Sequence, residues 1–179
     1  VINARKEIGV RTVFNLLGPL TNPAGAPNQI MGVFDASWIP ILLEVLKSLG
    51  SNHILIVAAE DGLDEISIAA PTTVGELKAG KISSYSVSPA DFGIEQYADC
   101  NSLKIDSAEE SLTMLRQALT YEHKAAGDIV ALNAGAAIYA ANLTDSLSSG
   151  VEQAQEILFT GDALNTLDAL VQFSNVRSE

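Results

Sequence analysis

The sequence predicts an α/β domain, and three observations carry that expectation. Two short apolar runs, residues 29–34 and 53–59, read as buried strands. Between them, residues 38–49 place Ile39, Leu42, Leu43, Leu46 and Leu49 at helical spacing. The last third of the chain is rich in helix signals. A strand, a helical crossover and a second strand form a βαβ unit, which favours parallel pairing.

Pro27 and Asp35 bound the first run; Ser37 is expected to cap the crossover helix and Gly50 to end it. Residues 72–79 read as a short helix and Gly80-Lys81 as a turn. Residues 82–87 alternate apolar and polar, as a half-exposed strand does. Ser88-Pro-Ala-Asp-Phe-Gly93 reads as a capped turn, and Ser107 opens a helix with Glu110 at capping-box spacing, continuing to about Tyr121. Further helices are expected over 127–141 and 151–173. With no tandem repeat, linker or low-complexity segment, residues 1–179 read as one α/β domain.

A hydrophobic content of 47% against 18% charged residues suits a folded core rather than a disordered chain. The net charge of −12 argues against a broad basic surface for nucleic acid, which needs clustered Lys and Arg. It leaves room for a small anion at a local arginine site. A single cysteine, Cys100, excludes an internal disulfide and a cysteine-based zinc cage, and without a basic neighbour it reads as structural. His53 and His123 lack ligand spacing and read as structural, at a strand start and a helix end. The apolar stretch over 129–141 falls short of a membrane span and is interrupted by Asn133, so it reads as a packed helix.

Two segments carry chemistry. Arg5 and Arg11 precede an apolar run that leads into Gly18-Pro19 and Thr21-Asn22-Pro23. Arginine holds carboxylates or phosphates through bidentate hydrogen bonds, and a Gly-Pro loop can bring bare peptide groups against a ligand. The segment suggests a pocket for a small anion, but surface arginines and Gly-Pro turns are common, so spacing alone favours a helix, a strand and a tight turn whose arginines face solvent. The second segment is Glu60-Asp-Gly-Leu-Asp-Glu65, four acids directly after an expected buried strand. Ligands of open α/β sheets gather beyond the carboxyl ends of strands, and Asp64-Glu65 offers the hard oxygens that suit Mg²⁺ shared with substrate phosphates and water. A solvated acidic loop is the alternative. Asn15 is expected to cap backbone, and Asn133 to satisfy a buried backbone group.

Arg5 and the run Ile8-Gly-Val-Arg-Thr-Val-Phe-Asn-Leu-Leu-Gly-Pro-Leu-Thr-Asn-Pro23 closely resemble the signature of the anthranilate phosphoribosyltransferase family. Gly62-Leu-Asp-Glu-Ile-Ser67 resembles that family's acidic metal-binding segment, and Asn133-Ala-Gly-Ala-Ala137 its Asn-Ala-Ala-Ala helix. The resemblance implies a nucleoside phosphorylase/phosphoribosyltransferase-like catalytic domain, a central sheet flanked by helices. It implies phosphoribosyl transfer from phosphoribosyl pyrophosphate to the amine of anthranilate, in tryptophan biosynthesis. By the same resemblance Arg5 binds the anthranilate carboxylate, Gly18 and Pro19 line the pocket, and Asp64 and Glu65 hold Mg²⁺. A cytoplasmic homodimer without nucleic-acid or membrane partners is implied as well. The family's Gly-Thr-Gly-Gly-Asp phosphate loop, its Lys-His-Gly-Asn segment and its N-terminal helical domain have no counterpart here, so the expected domain is truncated at its N-terminal side and inactive alone. A pyrimidine nucleoside phosphorylase-like enzyme and a non-catalytic family-like binding domain are the rival readings. An upstream Gly-Thr-Gly-Gly-Asp loop would favour the transferase.

Overall fold

The computed structural model describes Gly18, Leu20, Thr21 and residues 23–176. The two apolar runs become β1 (Asn28–Gly32) and β2 (His53–Ala59), paired in parallel from Asn28 opposite His53 to Gly32 opposite Val57. Their crossover helix is α1 (Ile39–Ser48). Asp35, rather than Ser37, caps the entry: its Oδ1 accepts the Ser37 N–H at 2.9 Å and opens a 3₁₀ turn over Ala36–Trp38. At the exit, Gly50 takes a left-handed φ of +84° and the Ser51 N–H bonds the Leu46 carbonyl, the expected glycine stop.

Residues 72–79, expected as a helix, instead supply the strand β3 (Thr72–Lys78), which pairs antiparallel with β2 on one side and with β4 (Lys81–Val87) on the other. The order β1-β2-β3-β4 places β3 inside the sheet. The β-branched Thr72-Thr73-Val74 suits a pleated strand, and two hydrogen-bonded neighbours outweigh the weak helical preference of Glu76-Leu77-Lys78. Gly75 has a packing reason to be there: a Cβ would lie 2.1 Å from Ile39 Cγ2 and 2.8 Å from Leu43 Cδ1, so its bare backbone lets α1 settle on the sheet.

Each face of the sheet is covered. Successive side chains alternate, so Ile54, Ile56 and Ala58 join Leu42, Leu43 and Leu46 of α1 in one core. Leu55 and Val57 turn the other way, into a second core with Leu132, Ala136 and Val151. That second layer is helical: α2 (Ala108–Leu119), α3 (Lys124–Ala140), α4 (Leu147–Thr160) and α5 (Asp162–Val176). The Ser107 Oγ accepts the Glu110 N–H as expected, whereas the Glu110 carboxylate accepts from Asp106 N–H, one residue before the cap. The single helix expected over 151–173 is two, beginning earlier at Leu147 and broken at Gly161, whose φ is +78°. No helix among the described residues is long and apolar enough to cross a membrane.

Candidate functional site

Beyond the carboxyl end of β2 the chain turns at Gly62, whose φ of +90° suits glycine, and returns through Asp64 and Glu65 toward β3. Backbone bonds tie this loop down: Ala59 N–H to the Leu63 carbonyl at 3.0 Å, and Glu60 N–H to the Pro71 carbonyl at 2.9 Å. Asp61 is exposed like its neighbours, but its carboxylate is tied to the loop, Oδ2 accepting from Ser67 Oγ at 2.6 Å and Oδ1 from Leu63 N–H at 3.3 Å. Ser67 is wholly buried and its Oγ also accepts the Ala69 N–H. Asp61 therefore braces the loop, a role its sequence position did not reveal.

Asn133, on α3, reaches across to the same loop. Its Oδ1 accepts the Ile66 N–H at 2.9 Å, and its Nδ2 donates to the Ile66 carbonyl at 3.0 Å. It satisfies a half-buried backbone group, as its setting in an Ala-rich helix predicts, and the group is the residue next to Glu65. From the other side, Gly32 at the end of β1 abuts the Asp64 backbone: a Cβ there would fall 1.5 Å from the Asp64 carbonyl oxygen.

Asp64 and Glu65 are themselves exposed, so the braced loop presents two adjacent carboxylates to solvent at the carboxyl ends of β1 and β2. Partial desolvation, and secondly the neighbouring Asp64, hold the Glu65 carboxyl above its ordinary range. Among the described residues no three His, Cys, Asp or Glu side chains gather into a complete metal cage. Two hard oxygen donors fit a Mg²⁺ that keeps waters and shares substrate phosphates, and do not fit a closed structural site.

Arg5, Arg11, Asn15 and Pro19 lie outside the described residues. Gly18 is exposed, and its carbonyl accepts the Thr21 N–H at 3.3 Å. Leu20 packs on the α1 core and, with Pro27, Gln29, Leu46 and Gly50, lines a cavity of about 260 Å³ at the amino ends of β1 and β2. The structure thus joins Asp64 and Glu65 on one loop and leaves Leu20, two residues from Gly18, at the opposite end of the parallel strands. Cys100 is half-buried, and burial raises its thiol pKa, as suits a structural cysteine.

Residues 1–164 match the model of the glycosyl transferase family, a/b domain. The chain belongs to that family. Within this glycosyl transferase family, the chain is 56% identical over 173 residues to an anthranilate phosphoribosyltransferase of Methylococcus capsulatus, covering 97% of this chain and 50% of the relative. It is 54% identical over 175 residues to that of Chromohalobacter salexigens, covering 98% and 50%. The crystal structure of anthranilate phosphoribosyltransferase from Thermus thermophilus superposes with a TM-score of 0.86 at 42% identity, over 97% of this chain and 51% of that one. The Saccharomyces cerevisiae enzyme in complex with PRPP and Mg gives a TM-score of 0.80 at 26% identity, over 94% and 48%. The chain spans about half the length of the curated relatives it matches.

Proposed function

We propose that this chain is the α/β portion of an anthranilate phosphoribosyltransferase, and that Asp64 and Glu65 bind Mg²⁺ on the pyrophosphate of phosphoribosyl pyrophosphate. The observation that carries the metal assignment is the braced loop, which presents the two carboxylates beyond the carboxyl ends of the parallel strands. Likeness to a solved relative in complex with PRPP and Mg supports it. The chain spans about half the length of its curated relatives, and on this reading the phosphate-cradling loop and the N-terminal helical domain belong to the other half. The whole protein acts as a cytoplasmic homodimer.

Rupture of the bond between ribose C1 and pyrophosphate leaves positive character on the sugar and negative charge on the leaving group. Mg²⁺, when bound, supplies electrostatic stabilisation of that leaving charge. Asp64 and Glu65 contribute the fixed negative oxygens that localise the cation, and Asp61 and Ser67 keep their loop in place. The family resemblance assigns Arg5 to the anthranilate carboxylate and Gly18 and Pro19 to the pocket wall, so that the amine meets C1; it alone supports that assignment, since Leu20 lies at the end of the parallel strands opposite Asp64 and Glu65. Such positioning is itself a large source of acceleration.

The deciding measurement is activity against Mg²⁺ concentration in the full-length enzyme. Asp64→Asn and Glu65→Gln are each expected to raise the Mg²⁺ needed for half-maximal activity, because each removes a charge a hard cation favours. Glu60→Gln is the control, since Asp61 is committed to bracing. Curves for Asp64→Asn and Glu65→Gln that overlay the parent sink the metal assignment, and an equal shift in Glu60→Gln reduces it to general loop acidity.

A further inference from the structure

Asp64 and Glu65 belong to a peptide that two distant elements grip. On one side the amide of Asn133 makes a paired contact with the N–H and the carbonyl of Ile66, at 2.9 and 3.0 Å. The same Nδ2 also donates to the Ile129 carbonyl at 3.0 Å, which locks the side chain to its own helix. On the other side the Gly32 backbone lies so near the Asp64 carbonyl that a methyl group would stand 1.5 Å from its oxygen and 2.5 Å from its carbon. Ile66 is buried, so the clamp closes where the loop enters the core, directly after the two exposed carboxylates.

From this geometry we infer that Asn133 and Gly32 are positioning residues for the metal carboxylates: they fix the Asp64-Glu65-Ile66 backbone so that both acids reach one cation. The inference rests on the reading of Asp64 and Glu65 as Mg²⁺ ligands. A rigid backbone matters because a cation held by two carboxylates, water and substrate phosphates demands near-octahedral geometry. Groups that orient ligands without touching the metal commonly affect metal affinity by about 10–100-fold. Asn133 acts through hydrogen bonds and Gly32 through the space its missing side chain leaves, so their variants perturb the loop by different routes.

The test uses the full-length protein with inorganic pyrophosphate, titrated with Mn²⁺ as a paramagnetic substitute while free Mn²⁺ is counted by electron paramagnetic resonance. Asn133→Ala and Gly32→Ala are each expected to weaken Mn²⁺ binding by about tenfold, with the anthranilate KM unchanged. Leu158→Ala, a cavity made in a separate core cluster, is the destabilising control, and thermal melts accompany all variants. If Leu158→Ala lowers the melting temperature as much and weakens Mn²⁺ binding as much, or if both clamp variants bind Mn²⁺ like the parent, the inference is overturned. Should one clamp variant fail to fold, the other decides. An Asp64→Asn, Glu65→Gln double variant runs alongside. If it too binds like the parent, the metal reading itself fails; if it alone loses binding, only the clamp fails.

Discussion

Asp128, wholly buried on α3, collects three donors at its carboxylate: Tyr121 OH on Oδ1, and Tyr97 OH and Lys124 Nζ, each at 2.8 Å, on Oδ2. A buried charge is tolerated when it is paired and hydrogen-bonded, and this one ties the start of α3 to the segments on either side of α2. Asp128→Ala is expected to destabilise the protein by about 2–3 kcal/mol, because two tyrosine hydroxyls lose a charged acceptor. Lys124→Ala should cost less than about 1 kcal/mol, since the ammonium is largely exposed. Denaturant midpoints for both variants check this; equal losses would show that the lysine rather than the tyrosines carries the cluster. The cluster also sets an alkaline limit. Burial first, and the Asp128 hydrogen bond second, push the Tyr121 hydroxyl up to about 12, and the Asp128 hydrogen bond pushes Lys124 up to about 12. Both groups are favoured protonated in the fold, so their stabilisation is complete below pH 10 and is lost as pH rises toward 12.

At the scale of elements, the crossing of α3 and α4 depends on glycine. A Cβ on Gly135 would stand 2.5 Å from Val151 Cα, and one on Gly150 would stand 2.3 Å from the Gly135 carbonyl oxygen. Backbone faces backbone there, so neither neighbour can yield by rotating a side chain. Gly135→Ala improves helix propensity by about 1 kcal/mol, yet overpacking of a close contact costs about 1–3 kcal/mol. The expected outcome is a net loss of stability in thermal melts, and a gain would show that the two helices can move apart freely. The break at Gly161 has a different cause: a left-handed residue ends α4 and lets α5 start in a new direction. It allows α2 and α5 to be joined by the Arg116–Asp168 ion pair at 2.9 Å, an exposed pair worth little by itself.

At the scale of the whole molecule, charge and activity separate. The chain carries a net charge of −12 with only ten Lys and Arg, while phosphate recognition, on the proposed reading, is concentrated at a metal and at sequence beyond this chain. The 179-residue chain alone is therefore expected to consume no anthranilate with phosphoribosyl pyrophosphate and Mg²⁺, and robust turnover by rigorously purified chain would show that the phosphate loop is dispensable. In the full-length enzyme, Arg5→Ala should weaken anthranilate use by roughly 1.5–3 kcal/mol through loss of a charge-assisted contact. Steady-state titration of each substrate checks it, and an unchanged anthranilate KM and kcat/KM would remove Arg5 from the pocket.

The βαβ unit, the left-handed stop at Gly50, the Ser107 cap and the acidic pair at Asp64-Glu65 were all legible in the chain, because each is written within a few neighbouring residues. Periodicity and capping report the backbone preferences of a local segment; they locate α1, although Asp35 rather than Ser37 caps its entry, and they miss the break at Gly161. Residues 72–79, expected as a helix, depart from that local expectation because the strand over Thr72–Lys78 exists through pairing with β2 and β4 on both sides. Glu76, a helix former by propensity, is instead buried beside His53 Nε2 at 3.1 Å and accepts from Tyr139 OH at 2.8 Å. The supports of the site were hidden for the same reason. Asn133 meets Ile66 across 67 positions, and Gly32 meets Asp64 from another strand end. No local pattern encodes such meetings: they follow from which faces the sheet and helices bury together, and only the assembled tertiary structure brings those partners within hydrogen-bond or van der Waals reach.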